Sequence, residues 1–257
     1  MKRSLLIVFV LIGVVLGFSS LIEDIQERGV LRVGQDAAYM PLYGTDYEGN
    51  RIGLEAEILQ KMADILDVEL EFVVVNWDGI IPALLTNKFD IIWSAMTITP
   101  ERALKVNFSI PYLTVGQVII YNNNKYESAP SIEDLKKDKD LKIAVQLGST
   151  GNEAARNIFT DKELLNFDTI DETAFQVATG KADIMIFDSI YAYNLEKKYS
   201  QISVSDEFIS KEDFGVAIKN GDFDSLRWID TFIRSIQTSG ELDELIQKWI
   251  VDYQPEL

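Results

Sequence analysis

The 257-residue chain reads as an α/β fold of two lobes joined by two crossovers, and three observations carry that reading. Short apolar, β-branched runs alternate with amphipathic helical stretches, which signals a largely parallel sheet. The alternation restarts near residue 115 with a second set of strands and helices. A strand and two amphipathic helices after residue 214 return to the first kind, so the second set is inserted into the first.

The elements follow in order. LRVG (31–34) is a buried strand closed by glycine. LEAEILQKMADIL (54–66) puts Leu54, Ile58, Met62, Ile65 and Leu66 on one helical stripe, with charges opposite. ELEFVVV (69–75) is β-branched and aromatic, hence a strand. DGIIPALLTNK (78–88) predicts a helix capped by Asp78, and FDIIWS (89–94) the next buried strand. VGQVIIY (115–121) opens the second set, followed by a polar turn region over 121–130. That set continues with strand KIAVQ (142–146), helices over 150–159 and 171–180, strand ADIMIF (182–187) and a helix over 188–198. FGVAI (214–218) is one more strand, and helices near 222–238 and 240–251 close the chain. Crossovers near 112–116 and 209–214 divide the chain into one lobe of 20–113 with 211–257 and a second lobe of 114–210.

The first nineteen residues read as an export leader. Lys2 and Arg3 precede a 14-residue apolar run from Leu5 to Phe18, and Gly17 and Ser19 supply small residues for cleavage after Ser19. That run is short of the roughly 20 residues a membrane-spanning helix needs. No later segment reaches that length without charges, so the expected product is an exported, soluble protein that does not itself span the membrane. The chain has no cysteine to carry a lipid, so it is not expected to be a lipoprotein.

Composition removes several chemistries. With no Cys there is no thiolate nucleophile, disulfide framework or Cys-ligated zinc, and with no His there is no Ser–His–Asp triad. A metal would need carboxylate and carbonyl oxygens, and no cofactor is expected. The 41 acidic residues outnumber 24 basic ones, for a net charge of −17, which argues against nucleic acid as a partner. Scattered acids are in general a solvated surface.

SAMTITPER (94–102) is the most informative stretch. Thr99 followed by Pro100 marks a helix start, where a missing N–H costs nothing. Arg102 then lies in the first turn, where a cation is opposed by the helix dipole. A carboxylate ligand held bidentately by Arg102, with the Thr97 N–H as a further donor, would account for it as well as a surface ion pair would. QLGSTGNEA (146–154) leaves a strand and opens a helix through Gly148, Ser149, Thr150 and Gly151, which is an ordinary βα turn or an anion site. Asp188 follows the strand ADIMIF, where it is either a helix cap or a partner for an ammonium group. Asp36 and Tyr39 follow LRVG in the same way. Arg102, Asp36, Asp188 and Tyr39 thus gather at strand ends with the positive, negative and aromatic groups that a zwitterionic amino acid needs. No nucleophile with an activating base accompanies them.

Read in order, LRVGQDAAYMPL, GLEAEI, WDGIIPALLTNKFDII, SAMTITPER, FSIPY, AVQLGSTGNE and ADIMIFDS resemble the bacterial periplasmic solute-binding proteins of the polar amino-acid type, the receptors of ABC importers. The resemblance runs from about Leu21 to Tyr253. It implies two Rossmann-like lobes, joined by a two-strand hinge, that close on a ligand before docking on a membrane permease. It implies that Arg102 grips the α-carboxylate, helped by backbone N–H groups at Thr97 and Thr150. Asp188, the carbonyl of Ala95 and the hydroxyl of Thr97 would take the α-ammonium. Asp36 stands where relatives contact a polar side chain, Tyr39 forms one aromatic wall, and Trp77 lines the cleft.

The chain departs from that pattern at Leu54, where relatives carry an aromatic wall, at Ala95, a common glycine, and at the bulky Trp93. Glu55 and Glu57 stand where Asp is commoner. An acidic lining of Asp36, Gln146 and Gln117 favours a basic (Arg, Lys) or amide (Gln) side chain. Two rivals share the fold: a cyclohexadienyl (prephenate or arogenate) dehydratase, with Glu55 or Asp36 as general acid, and a ligand-sensing partner of a membrane receptor.

Overall fold

A computed structural model describes residues 19–255, and the expected leader lies outside them but for Ser19. The chain begins with α1 (Leu21–Arg28), β1 (Val30–Gln35), a small hairpin of β2 (Gly44–Thr45) and β3 (Arg51–Ile52), α2 (Leu54–Leu66) and β4 (Glu69–Val74). α3 (Ile80–Leu85), β5 (Ile91–Ile92), α4 (Pro100–Ala103) and β6 (Val106–Phe108) complete the first pass. The inserted set is β7 (Leu113–Asn122), α5 (Ile132–Lys137), β8 (Ile143–Gln146), α6 (Thr150–Ile158), β9 (Leu164–Phe167), α7 (Ile170–Ala178), β10 (Ile184–Asp188), α8 (Ser189–Lys198), β11 (Ile202–Val204) and β12 (Ser210–Phe214). β13 (Ala217–Lys219), α9 (Phe223–Ser239) and α10 (Glu241–Ile246), continued by a π-helical turn over Gln247–Val251, return to the first lobe.

Two sheets result. The first has the order β4-β1-β5-β13-β6, with β1 parallel to both β4 and β5 and β13 antiparallel to its neighbours. The second runs β11-β7-β10-β8-β9, its β8, β9 and β10 parallel, with β12 added on β7. β7 and β12 are the two strands that carry the chain between lobes, and they pair antiparallel from Ser210↔Gln117 to Phe214↔Leu113. The molecule is therefore two Rossmann-like α/β lobes joined by a two-strand hinge.

Packing follows the apolar pattern, with four corrections to the sequence reading. Leu54, Ile58, Met62 and Leu66 are buried, but Ile65 at the stripe's edge is 55% exposed. Asp78 caps no helix: Trp77–Gly79 is a 3₁₀ turn and α3 starts at Ile80, without a side-chain cap. FGVAI is not one strand, because Phe214 ends β12 in one sheet and Ala217 starts β13 in the other. Several elements went unread: the short strands β2, β3, β6 and β11, then β9, α5, and α1, whose Ser20 and Glu23 form a capping box. Trp93 is fully buried against Tyr112 and Phe232, at ring separations of 5.2 and 6.3 Å, and belongs to the core of the first lobe.

Candidate functional site

The strand ends of both sheets face one another across a cleft. Its walls are Asp36, Tyr39, Tyr43, Trp77, Ser94, Ala95 and Thr97 from one lobe, and Gln146, Ser149, Thr150, Ile170, Phe187 and Asp188 from the other, drawn together around a cavity of only about 20 Å³.

On the first lobe, the turn after β1 is fixed by its own backbone. Tyr39 N–H donates to the Tyr43 carbonyl (2.7 Å) and Tyr43 N–H returns a bond to Tyr39 (3.1 Å). This aims the Tyr39 ring at Tyr191, Phe187 and Phe214, with centroids at 5.3, 5.6 and 6.5 Å. Asp36 accepts from the Gln146 side chain of the other lobe (2.8 Å) and from its neighbour Ala37 N–H (2.7 Å). Burial raises its carboxyl above the usual range, with those two donors opposing.

The SAMTITPER segment behaves as its sequence suggests at Thr99, which accepts from Arg102 N–H (3.2 Å) ahead of Pro100 at the first helical position. Arg102 then reaches over the cleft. Its guanidinium donates to the Thr97 carbonyl (2.9 Å) and to the Gly148 carbonyl of the other lobe (3.2 Å), over the Trp77 ring at 5.2 Å. Burial pulls its pKa down, opposed by Glu153, Glu212 and Asp188, and a guanidinium stays charged in any case. The Trp77 indole N–H donates to the same Gly148 carbonyl (3.0 Å). Ala95 sits at φ 48°, a left-handed conformation that accounts for glycine being the easier residue there, and its N–H donates to Glu55 (2.9 Å). Glu55 is fully buried beneath that turn, raised to about 7 by desolvation, with Tyr112, Ala95 and Gln35 donating to it.

On the second lobe, Ser149 caps α6 by accepting from Asn152 N–H (3.0 Å). Gly151 in the first turn is required by close packing, since a Cβ there would lie 2.1 Å from the Ile186 carbonyl oxygen of β10. Asp188 stands at the cap position of α8 but makes no capping bond. Its carboxyl instead accepts from Gln117 (2.7 Å) and from the Tyr39 hydroxyl (3.0 Å). Burial, then the nearby Glu212, push it up to about 8.

Of the sequence-predicted residues, Asp36, Tyr39, Trp77, Ala95, Thr97, Gln146, Thr150 and Asp188 line this one cleft, with Arg102 across its rim. Leu54 does not join them: it is fully buried in the core of the first lobe. The wall residues Tyr43, Ser94, Ile170 and Phe187 were missed, and so was Glu212, which bonds to the wall. Tyr43 closes the wall behind Ser94, whose hydroxyl donates to it (2.9 Å). Glu212, on hinge strand β12, accepts from Thr97 and Thr150 hydroxyls, both at 2.8 Å. No local signal marks Glu212, because its partners are 115 and 62 residues away.

Comparison with known proteins places this architecture. The family model for bacterial extracellular solute-binding proteins, family 3, matches residues 31–252. The chain belongs to that family. Among curated relatives of this solute-binding protein, the L-cystine-binding protein TcyJ of Escherichia coli (strain K12) is 30% identical over 231 residues, covering 89% of this chain and 85% of TcyJ. The cyclohexadienyl dehydratase of Pseudomonas aeruginosa is 28% identical over 236 residues, covering 90% and 86%. Among solved structures, the ancestral amino acid-binding protein AncCDT-1, a precursor of cyclohexadienyl dehydratase, superposes with a TM-score of 0.85 at 40% identity, over 90% of this chain and all of that one. A second structure of AncCDT-1 carries the description of an ancestral cationic amino acid solute-binding protein, with a TM-score of 0.71.

Proposed function

We propose that this solute-binding protein captures an L-α-amino acid with a polar, preferably cationic, side chain between its lobes and delivers it to the membrane permease of an ABC importer. In this reading the leader over 1–19 exports the chain to the periplasm. Residues 20–113 with 211–257 form one ligand-binding lobe, and 114–210 form the other.

One observation carries the proposal. Arg102 and Asp188, a guanidinium at the rim and a carboxyl on the opposite lobe, flank one cleft whose walls include Tyr39, Trp77 and Phe187. A zwitterion complements that pair, with its carboxylate at Arg102 and its ammonium at Asp188. Asp36 and Gln146, bonded across the cleft at 2.8 Å, offer acceptors for a basic or amide side chain. Each of these groups touches the ligand only when both lobes do, so binding favours the closed arrangement by its differential contacts. The cationic description of AncCDT-1 supports the same preference.

The test is thermal unfolding of refolded, ligand-stripped protein against each of the twenty L-amino acids. A ligand at 100 times its dissociation constant adds about 2.7 kcal/mol and raises the midpoint. A shift with Arg or Lys is expected, and no shift with any amino acid overturns the reading. A second reading, dehydration of arogenate, is favoured by Asp188, which at about 8 holds a proton in the cleft at neutral pH. Phenylalanine appearing on incubation with arogenate would replace transport by catalysis.

A further inference from the structure

We propose that Glu212 is a positioning residue that sets the direction in which an amino acid lies in the cleft, by fixing the Thr97 hydroxyl as an acceptor for the ligand's ammonium group. The inference rests on the amino-acid reading above and adds to it a residue of the hinge. A threonine hydroxyl has one proton to give. Thr97 Oγ1 and Thr150 Oγ1 both give theirs to Glu212 Oε2 at 2.8 Å, while Ser210 donates to Oε1 at 3.0 Å. Thr150 Oγ1 also receives a bond from the Gln117 amide (3.0 Å). Thr97, 6% exposed and on the cavity wall, is thereby left with lone pairs only.

Thr97 thus has two fixed ends. Its carbonyl accepts from Arg102 (2.9 Å), and its hydroxyl is turned to Glu212. A ligand carboxylate meets the cation at one end and is repelled by Glu212 at the other. A ligand ammonium finds Asp188, Glu212 and the Thr97 lone pairs together. Because Glu212 takes one hydroxyl from each lobe, this polarity is complete only in the closed arrangement.

The test is a double-mutant cycle on L-arginine binding, measured by titration calorimetry, with E212Q, T97V and both together in the mature protein. Each single variant is expected to weaken binding about tenfold or more, and the double variant by no more than about twofold beyond the weaker single one, because both remove the same oriented hydroxyl. Losses that multiply, or an E212Q variant within about twofold of the parent, overturn the inference. If E212Q fails to unfold cooperatively, E212D replaces it: the charge stays, the shorter arm cannot hold both threonines, and the same loss is expected. A parent that ignores L-arginine counts against the cationic ligand, not against Glu212, and the cycle is then run on the amino acid that raises the parent's melting midpoint. A parent that binds no amino acid overturns the reading on which the inference rests.

Discussion

The Tyr39 hydroxyl donates across the cleft to Asp188 Oδ2 at 3.0 Å, while Gln117 from Asp188's own lobe donates to Oδ1 at 2.7 Å. The carboxyl is nevertheless raised to about 8, because burial and the neighbouring Glu212 outweigh the Tyr39 hydroxyl and the Arg102 charge. A pKa raised from 3.8 to about 8 means the folded protein keeps a proton that the unfolded chain gives up, so stability falls as pH rises from about 4 to about 8 and is flat above. An arriving ammonium group reverses the cause and expels that proton. Amino-acid binding at pH 7 should release a proton and tighten as pH rises toward 8. Calorimetry in two buffers of different ionisation enthalpy measures the release, D188N should abolish it, and equal heats in both buffers would reject the assignment.

Arg102 makes the complementary case. Its guanidinium is held by two carbonyls and the Trp77 ring, which places the fork, and no carboxylate among the described residues forms an ion pair with it. A ligand carboxylate there gains a charge-assisted, two-bond contact. R102A should weaken amino-acid binding by about 2–5 kcal/mol, since the ligand's charge is left buried and unpaired. R102K restores the charge without the fork and should recover only part of the loss. Dissociation constants for the three proteins decide it, and an R102A variant that binds like the parent would move the carboxylate site elsewhere.

These two residues show what the sequence made legible. The Thr99–Pro100 start and the strand end at Asp188 are local signals, decided by residues within one helical turn, and each lands where the pattern put it. The strand–helix alternation carried the lobes for the same reason. Contacts that cross the chain did not show. Glu212 is one acid among many until the hinge brings Thr97 and Thr150 to it. Asp78 has the chemistry of a cap, but the Trp77–Gly79 turn, with the Trp77 indole on Gly148, displaces the helix start to Ile80. Leu54 occupies an expected wall position in the chain, yet its side chain packs inward.

Gly151 gives a prediction about how the second lobe holds its half of the site. A methyl group at this position meets the Ile186 carbonyl oxygen at 2.1 Å, a backbone atom that cannot swing away. G151A must push the start of α6 off β10, and Ser149 and Thr150 move with it. Overpacking of this kind costs about 1–3 kcal/mol, and the displaced Thr150 should also weaken ligand binding. Thermal unfolding and titration on the same variant check both halves, and an unchanged midpoint would mean that α6 slides without resistance.

Ala95 points the other way, toward a gain. At φ 48° an L-residue crowds its Cβ against the following carbonyl, a cost of roughly 1–2 kcal/mol that glycine does not incur. Glycine loses more backbone entropy on folding, by about 0.5–1 kcal/mol, so the net benefit of A95G is a fraction of the strain. The turn does not depend on the methyl group for its shape, because Glu55 holds the Ala95 N–H from below at 2.9 Å. A95G should therefore raise the melting midpoint by about 1–4 °C, while A154G, in the middle of α6, should lower it by a similar amount because no strain is relieved there. Melting curves of the two variants beside the parent measure the difference. Equal losses in both would show that the left-handed turn at Ala95 carries no strain to release.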